Sequence, residues 1–190
     1  PAPGGGSVAA LCGALSSALS AMVGNLTYSK LKYKNVKEKM IGVSESGQDL
    51  NRFFIDAIDR DTSAFNKIMD AFSLPKKTEE DKKVRDKAVL DATIEATMIP
   101  FSVLERSKDA AELALEVAAS GNTNSLSDSG VAGLTSLAAA TGAYYNVLIN
   151  LDGIEDEAFV EKMRKKSVEI LSKVKKISDK VSEILENGLK

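Results

Sequence analysis

Ser120-Gly-Asn-Thr-Asn-Ser-Leu-Ser-Asp-Ser-Gly-Val131 decides how the rest of the chain is read. It interrupts two helical patterns with a run of short polar side chains. Gly121, Asn122 and Asn124 tolerate left-handed backbone and end helices, whereas Ser127 and Asp128 start them. The pattern predicts a helix that stops near Ala119, a polar corner, and a new helix beginning near Gly130. Asp128 then lies beside the free N–H groups and positive dipole end of that helix. On the residues alone it is either an N-cap or a carboxylate held ready for chemistry.

On either side of the corner lie two stretches of one kind. Val8–Leu26 and Val131–Leu151 carry no charge and are rich in Ala, Gly, Ser and Leu. The first is long enough to suggest a membrane span, but Ser16, Ser17, Ser20 and Asn25 keep it mildly polar. Small residues instead predict helices whose backbones approach closely, forming a tight central layer that continues across a subunit interface.

Between them, apolar residues recur at Val36, Met40, Val43, Leu50, Phe54, Ile58, Phe65, Ile68 and Phe72, a helical spacing of three and four. Continuing that stripe from Ile58 to Phe65 lands on Asp61, whereas Asp56, Asp59 and Asp70 fall off it. A carboxyl in an apolar stripe has its ionised form disfavoured, as a general acid near neutral pH requires. The bland alternative pairs it with Arg60 or another base at the stripe's edge.

The remaining elements are helical too. Pro1-Ala-Pro-Gly-Gly-Gly-Ser7 is a loop into the first helix, with Ser7 placed to cap it. It lacks the lysine of a P-loop; it is either a plain capped turn or a cradle of N–H groups for a polar ligand. Tyr28-Ser-Lys-Leu-Lys-Tyr-Lys34 gathers cations at a helix C-terminus, suiting the dipole or a carboxylate-bearing ligand with a flat ring. Thr78-x-x-Asp81 resembles a capping box, Pro100 interrupts or kinks the helix that follows, and Asp152-Gly153 turns into a last helix over 155–185, ending at Asn187-Gly188. Nothing reads as a strand, so the class is all-α, one domain over 1–190.

Composition narrows the chemistry. The chain has no histidine and one cysteine, Cys12, read as a small buried residue. Ser-His-Asp and Cys-His catalysis are therefore excluded, and a zinc site is disfavoured. Proton transfer at neutral pH falls to Asp, Glu, Lys or Tyr. A net charge of −2 offers no footprint for nucleic acid. No signal peptide is visible, and the opening at Pro1 suggests that a segment precedes it.

Taken together, Pro3-Gly-Gly-Gly-Ser-Val-Ala-Ala10, Leu26-Thr-Tyr28, Asp61-x-x-Ala-Phe65, Leu74-Pro-Lys76, Gly121-Asn122, Ser127-Asp128 and Gly142-Ala-Tyr-Tyr-Asn-Val-Leu-Ile-Asn-Leu151 resemble the cyclodeaminase/cyclohydrolase family. Within it they are similar to the C-terminal cyclodeaminase domain of formiminotransferase-cyclodeaminase. The resemblance covers the chain from the glycine loop to Phe159 and lacks only the family's helix upstream of that loop. It implies a multihelical up-and-down bundle forming an intertwined dimer, with tetrahydrofolate bound in a cleft near the subunit interface. The implied reaction turns 5-formiminotetrahydrofolate into 5,10-methenyltetrahydrofolate and ammonia, with no metal and no cofactor beyond the folate carrier.

Carried over by residue, Asp61 is the implied general acid and Asp128 the base or stabiliser of the amidinium, in an order left open. Gly4, Gly5, Gly6 and Ser7 would line the pterin, Asn122 would hydrogen-bond it, and Lys30, Lys32 and Tyr33 would face a glutamate or polyglutamate tail. A cytoplasmic enzyme of one-carbon metabolism and histidine degradation, fused to or associated with a formiminotransferase, is the implied setting. Methenyltetrahydrofolate cyclohydrolase is the rival within the family; a catalytically silent helical dimer acting as an assembly module is the rival outside it.

Overall fold

The computed structural model describes residues 4–189, and among them every regular element is a helix. In chain order these are α1 (Gly5–Tyr28), a 3-10 turn (Leu31–Val36), α2 (Lys37–Ser73), α3 (Glu79–Ser120), a 3-10 turn (Thr123–Ser125), α4 (Leu126–Leu151) and α5 (Glu157–Gly188). The all-α expectation holds.

Local sequence explains most of the boundaries. The Thr78 hydroxyl accepts from the Asp81 N–H at 3.0 Å, and the Thr78 N–H donates to Asp81 Oδ2 at 3.0 Å, closing the expected capping box of α3. Asp156 caps α5 by accepting from the Phe159 N–H at 3.0 Å. Pro100 neither ends nor divides α3. It removes one helix hydrogen bond, while its neighbours Ile99, Phe101, Val103 and Leu104 are buried and hold the helix through the gap.

At the polar corner the structure differs from the sequence reading in three ways. α4 starts at Leu126, a turn before Gly130, and its N-cap is Ser125, without a side-chain cap bond. Asp128 lies inside the first turn and caps nothing. Gly121 is extended, at φ −80°, rather than left-handed. It is glycine because a Cβ there would run into the Val117 carbonyl and stand 3.1 Å from Val23 Cγ1.

Helices consecutive in the chain, and α1 with α4, pack in opposite senses. Along α1 and α2 the neighbours are Ser7 with Asp61, Ala14 with Asn51, Ser17 with Gly47 and Gly24 with Met40. Along α1 and α4 they are Gly5 with Asn146, Ala9 with Gly142 and Ser16 with Ala132. Asn150 meets Ala96 between α4 and α3, and Val181 and Leu185 of α5 fit onto Gly133 and Gly130 of α4. The bundle is thus up-and-down, with α3 packed on each of the other four helices.

α1 is long and apolar enough to cross a membrane by length and composition, and most of that stretch is buried in the bundle. Gly13 receives the Phe54 ring, and Cys12 is half-buried. The stripe of α2 enters the core at Met40, Val43, Leu50 and Phe54. It then loses its cover: Ile58 and Ile68 are half-buried, and Phe65 and Phe72 are exposed. Asp61 lies where that cover gives out.

Two glycines of α2 separate close packing from open surface. A Cβ on Gly47 would lie 2.8 Å from the Ser17 carbonyl oxygen and 3.0 Å from Ala21 Cβ; one on Gly42 would meet nothing within 4 Å. Gly47→Ala should therefore destabilise by about 1–3 kcal/mol through overpacking. Gly42→Ala should stabilise by about 0.5–1 kcal/mol through helix propensity and chain entropy. Urea unfolding of the two variants checks the opposite signs.

Candidate active site

Glycine at the start of α1 leaves its first turn bare. Gly4 is the N-cap, in extended conformation and with no side chain to cap the helix. Among the described residues the first N–H to bond back is that of Val8, to the Gly4 carbonyl at 3.1 Å. Among them the N–H groups of Gly5, Gly6 and Ser7, at the positive end of the helix, have no partner. Ser7 does not cap this turn, as the sequence suggested. It is buried within it, and its hydroxyl donates to Asp61 Oδ2 at 2.8 Å.

Two side chains press on the glycines from opposite helices. A Cβ on Gly6 would stand 2.7 Å from Asp61 Cγ, and one on Gly5 would stand 3.3 Å from Asn146 Nδ2. The half-buried Asp61 carboxylate from α2 and the Asn146 carboxamide from α4 thus flank consecutive residues in the first turn of α1. Asn146 Nδ2 donates to the Gly142 carbonyl at 2.8 Å, and Asn150 Nδ2 donates to the Ala96 carbonyl at 3.0 Å. Between these groups a cavity of about 300 Å³ opens, walled by Gly4–Ser7, Asp61, Thr62, Ala64, Phe65, Ile68, Ala96, Asn146 and Asn150. That is the lower end of the usual size for a small-molecule site.

A second polar cluster sits at the other end of α1. The buried Asn122 donates its N–H to Thr27 Oγ1 at 2.8 Å, and Thr27 Oγ1 donates to the Val23 carbonyl. Asn122 Oδ1 accepts from the Asn124 N–H at 3.2 Å and from the Tyr33 hydroxyl at 3.4 Å. The Thr123 N–H donates to the Tyr33 oxygen at 3.1 Å. Those bonds from the Thr123 hydroxyl and amide hold the Tyr33 phenol below its ordinary pKa, with a smaller contribution from the Lys32 charge. Lys30 and Lys32 are exposed beside it, and Lys32 Nζ lies 5.3 Å from the centre of the Tyr33 ring. Asp128, half-buried, begins the next helix.

The ten residues singled out in the sequence therefore divide. Gly4, Gly5, Gly6, Ser7 and Asp61 share the cavity; Lys30, Lys32, Tyr33, Asn122 and Asp128 belong to the far end. From Ser7 to Thr27 the rise of α1 separates the two groups by about 30 Å. Within one chain Asp61 and Asp128 do not meet. Asn122, expected as a ligand contact, spends its carbonyl oxygen on the corner itself. Asn146 and Asn150 carried no assignment in the sequence, although two amides on an uncharged helix are as out of place there as Asp61 is on its stripe. Among the described residues no group of three His, Cys, Asp or Glu side chains could hold a metal ion. The cavity walls offer N–H groups, amide oxygens and one carboxylate, the surroundings of a polar organic ligand.

Fold and cavity together define an all-helical protein with a polar cavity at the glycine-rich start of α1. The chain belongs to the formiminotransferase-cyclodeaminase family, whose profile matches residues 1–169. It is 36% identical over 187 residues to a methenyltetrahydrofolate cyclohydrolase of Methylorubrum extorquens, a match covering 98% of this chain and 90% of that protein. It is 34% identical over 174 residues to the formimidoyltransferase-cyclodeaminase of Rattus norvegicus, covering 92% of this chain and 32% of that protein. The chain thus spans about a third of the rat protein's length. The crystal structure of formiminotetrahydrofolate cyclodeaminase from Thermotoga maritima superposes with a TM-score of 0.89 at 31% identity, over 100% of this chain and 91% of that one. The family expected from the sequence is the family found.

The contact between Gly6 and Asp61 gives a direct test of the cavity. Gly6→Ala displaces the carboxylate from the Ser7 hydroxyl while touching no part of the apolar core. Turnover should fall about 100-fold, the scale of a misplaced catalytic group, with the thermal midpoint little changed. Turnover equal to the wild type would remove Asp61 from the chemistry.

Proposed function

We propose that the protein closes the one-carbon bridge of tetrahydrofolate, converting 5-formiminotetrahydrofolate to 5,10-methenyltetrahydrofolate with release of ammonia. The observation that carries this reading is Asp61, held by Ser7 against the bare first turn of α1 and open to the cavity. In the reaction N10 bonds to the formimino carbon and gives up its proton. The bond from that carbon to the departing nitrogen then breaks, with a proton delivered to the nitrogen so that it leaves as ammonia. One group must take a proton and one must give one, and a carboxylate also offsets the positive charge of the amidinium. A silent assembly module has no use for a carboxylate opening on a cavity.

Asp61 fills one of these roles. The other belongs to Asp128, supplied by a second copy of the chain. On the side of α1 and α4 away from α3, Val8, Leu11, Leu15, Met22 and Leu26 line up with Val131, Leu134, Tyr145 and Ile149, all exposed in the single chain. A second copy related by a two-fold axis perpendicular to α1 and passing through this face runs antiparallel to the first. Its far end then lies over the near end of its partner, so that one copy's Asp128, Lys30, Lys32 and Tyr33 come to the other's glycine loop. Asp61 and Asp128 would act on one intermediate, and the lysines would receive a glutamate tail.

The second reading is the cyclohydrolase, favoured by the 36% identity to the Methylorubrum protein along nearly its whole length. There water adds to the methenyl carbon, and cleavage of its bond to N5 leaves the formyl group on N10. Supplying 5-formiminotetrahydrofolate and 5,10-methenyltetrahydrofolate separately, and following methenyl absorbance and ammonia, decides between the two. Ammonia released from the first substrate supports the cyclodeaminase; loss of methenyl absorbance from the second, with none from the first, replaces it.

Mixing two inactive variants tests the shared site. Asp61→Asn and Asp128→Asn should each lower kcat by about 10²–10⁴. In mixed dimers both substitutions fall in one site and the other is intact, so random exchange of subunits should restore about a quarter of wild-type activity. Recovery of nothing on mixing, with exchange verified by mass, would overturn the site shared between subunits.

A further inference from the structure

Asn146 and Asn150 remain without a role once the loop, Ser7 and Asp61 are assigned. They lie one turn apart on α4, so their side chains are neighbours, with Cβ atoms about 6 Å apart. Both line the cavity. Each spends an Nδ2 hydrogen on a helix carbonyl, Gly142 for Asn146 and Ala96 for Asn150. A carboxamide fixed through its nitrogen has its orientation set, leaving Oδ1 as an acceptor. Among the described residues no donor reaches either oxygen.

The two amides differ in what they do for the fold. Asn150 ties α4 to α3. Asn146 bonds only within its own helix, one turn back, and adds no link between helices. A half-buried amide with no tertiary bond, whose side chain lines the cavity, has an acceptor open to a partner from outside the fold.

The opposite wall has the complementary character. There the N–H groups of Gly5, Gly6 and Ser7 are donors at a helix N-terminus, with no side-chain cap. The cavity therefore presents acceptors from α4, donors from α1, and the Asp61 carboxylate from α2. A 2-amino-4-oxopyrimidine ring matches this arrangement, with N–H donors at the 2-amino group and N3 and an acceptor at the 4-oxygen.

We infer that Asn146, supported by Asn150, receives the 2-amino edge of the pterin and so sets which way round the ring enters the cavity. The inference rests on the folate reading above and assigns that reading's recognition step. It leaves Asp61 free for the travelling proton. An aspartate bonded to the amino edge would be engaged as a ligand contact instead.

The test is a cycle between protein and ligand. Binding of 5-formyltetrahydrofolate is measured by calorimetry against its analogue with hydrogen in place of the 2-amino group. The wild type should bind the analogue at least about tenfold more weakly, the scale of one lost hydrogen bond in a desolvated site. Asn146→Leu should bind the two ligands alike, and Asp61→Asn should keep the wild-type preference. A merely structural Asn146 would weaken both ligands equally and leave the preference in place. No preference in the wild type, an arm that needs no variant, overturns the inference. So does a preference that survives Asn146→Leu and vanishes in Asp61→Asn, which would give the amino edge to Asp61. Should Asn146→Leu fail to fold, Asn146→Ala removes the same acceptor with a smaller, helix-favouring side chain. If 5-formyltetrahydrofolate itself does not bind the wild type, the folate reading fails and the inference with it; binding without preference fails the inference alone.

Discussion

The backbone of α1 lies against the backbone of α2, and the site depends on that proximity. A Cβ on Gly24 would come within 2.9 Å of the Met40 carbonyl oxygen, and one on Gly47 within 2.8 Å of the Ser17 carbonyl oxygen. Helices this close put Gly, Ala and Ser at the tightest contacts, and the large Phe54 ring of α2 is seated where Gly13 of α1 has no side chain. Ser17 donates its buried hydroxyl to the Gly13 carbonyl and Ser16 donates to the Ala132 carbonyl of α4, while the buried Ser20 hydroxyl has no partner among the described residues. An unpaired buried hydroxyl is costly, whereas one bonded to a spare carbonyl lone pair is tolerated. An aspartate has a short reach, and only a helix pair held this tightly lets the Asp61 carboxylate touch the first turn of α1.

The same proximity explains why the loop is glycine. Asp61 and Asn146 occupy the volume that side chains on Gly6 and Gly5 would need. The glycines serve here less for unusual backbone angles than for the absence of Cβ. Without side chains the loop can lie between a carboxylate and a carboxamide with its N–H groups uncovered. A polar ligand entering the cavity meets fixed groups on three sides and need not order them first, an advantage in binding and in rate.

Much of this was legible in the sequence, and the reasons are specific. Asp61 stood out because its neighbours in the stripe are apolar, and that register survives in α2 as Met40, Val43, Leu50 and Phe54 buried on one face. The capping box at Thr78 was legible because it is local, complete within one turn. Asn146 and Asn150 were open to the logic that found Asp61, yet an amide carries no charge to draw notice in a run of Ala, Leu and Val. The start of α4 was misplaced because several polar residues in succession can each cap a helix, and packing chose among them; Val181 and Leu185 of α5 seat on Gly133 and Gly130, inside the helix rather than before it. The separation of Asp61 from Asp128 was also implicit. An up-and-down bundle alternates its ends, so a residue beside the loop before α1 and a residue in the corner between α3 and α4 belong to opposite ends.

That separation connects the chemistry to the oddest feature of the composition. An ordinary surface helix keeps one face apolar and one face charged. α1 has no charged face, although Val8, Leu11, Leu15, Met22 and Leu26 are exposed in the single chain. α4 carries its one acidic residue, Asp128, in the first turn and is uncharged from there on. Exposed apolar stripes on two adjacent helices have the character of a surface built to be covered. In the proposed dimer a second copy covers them, and antiparallel packing over that face carries one chain's far end to its partner's cavity. The absence of charge along α1 and the distance between the two aspartates then have one cause: the helix that frames the cavity is also the contact through which the other chain completes it.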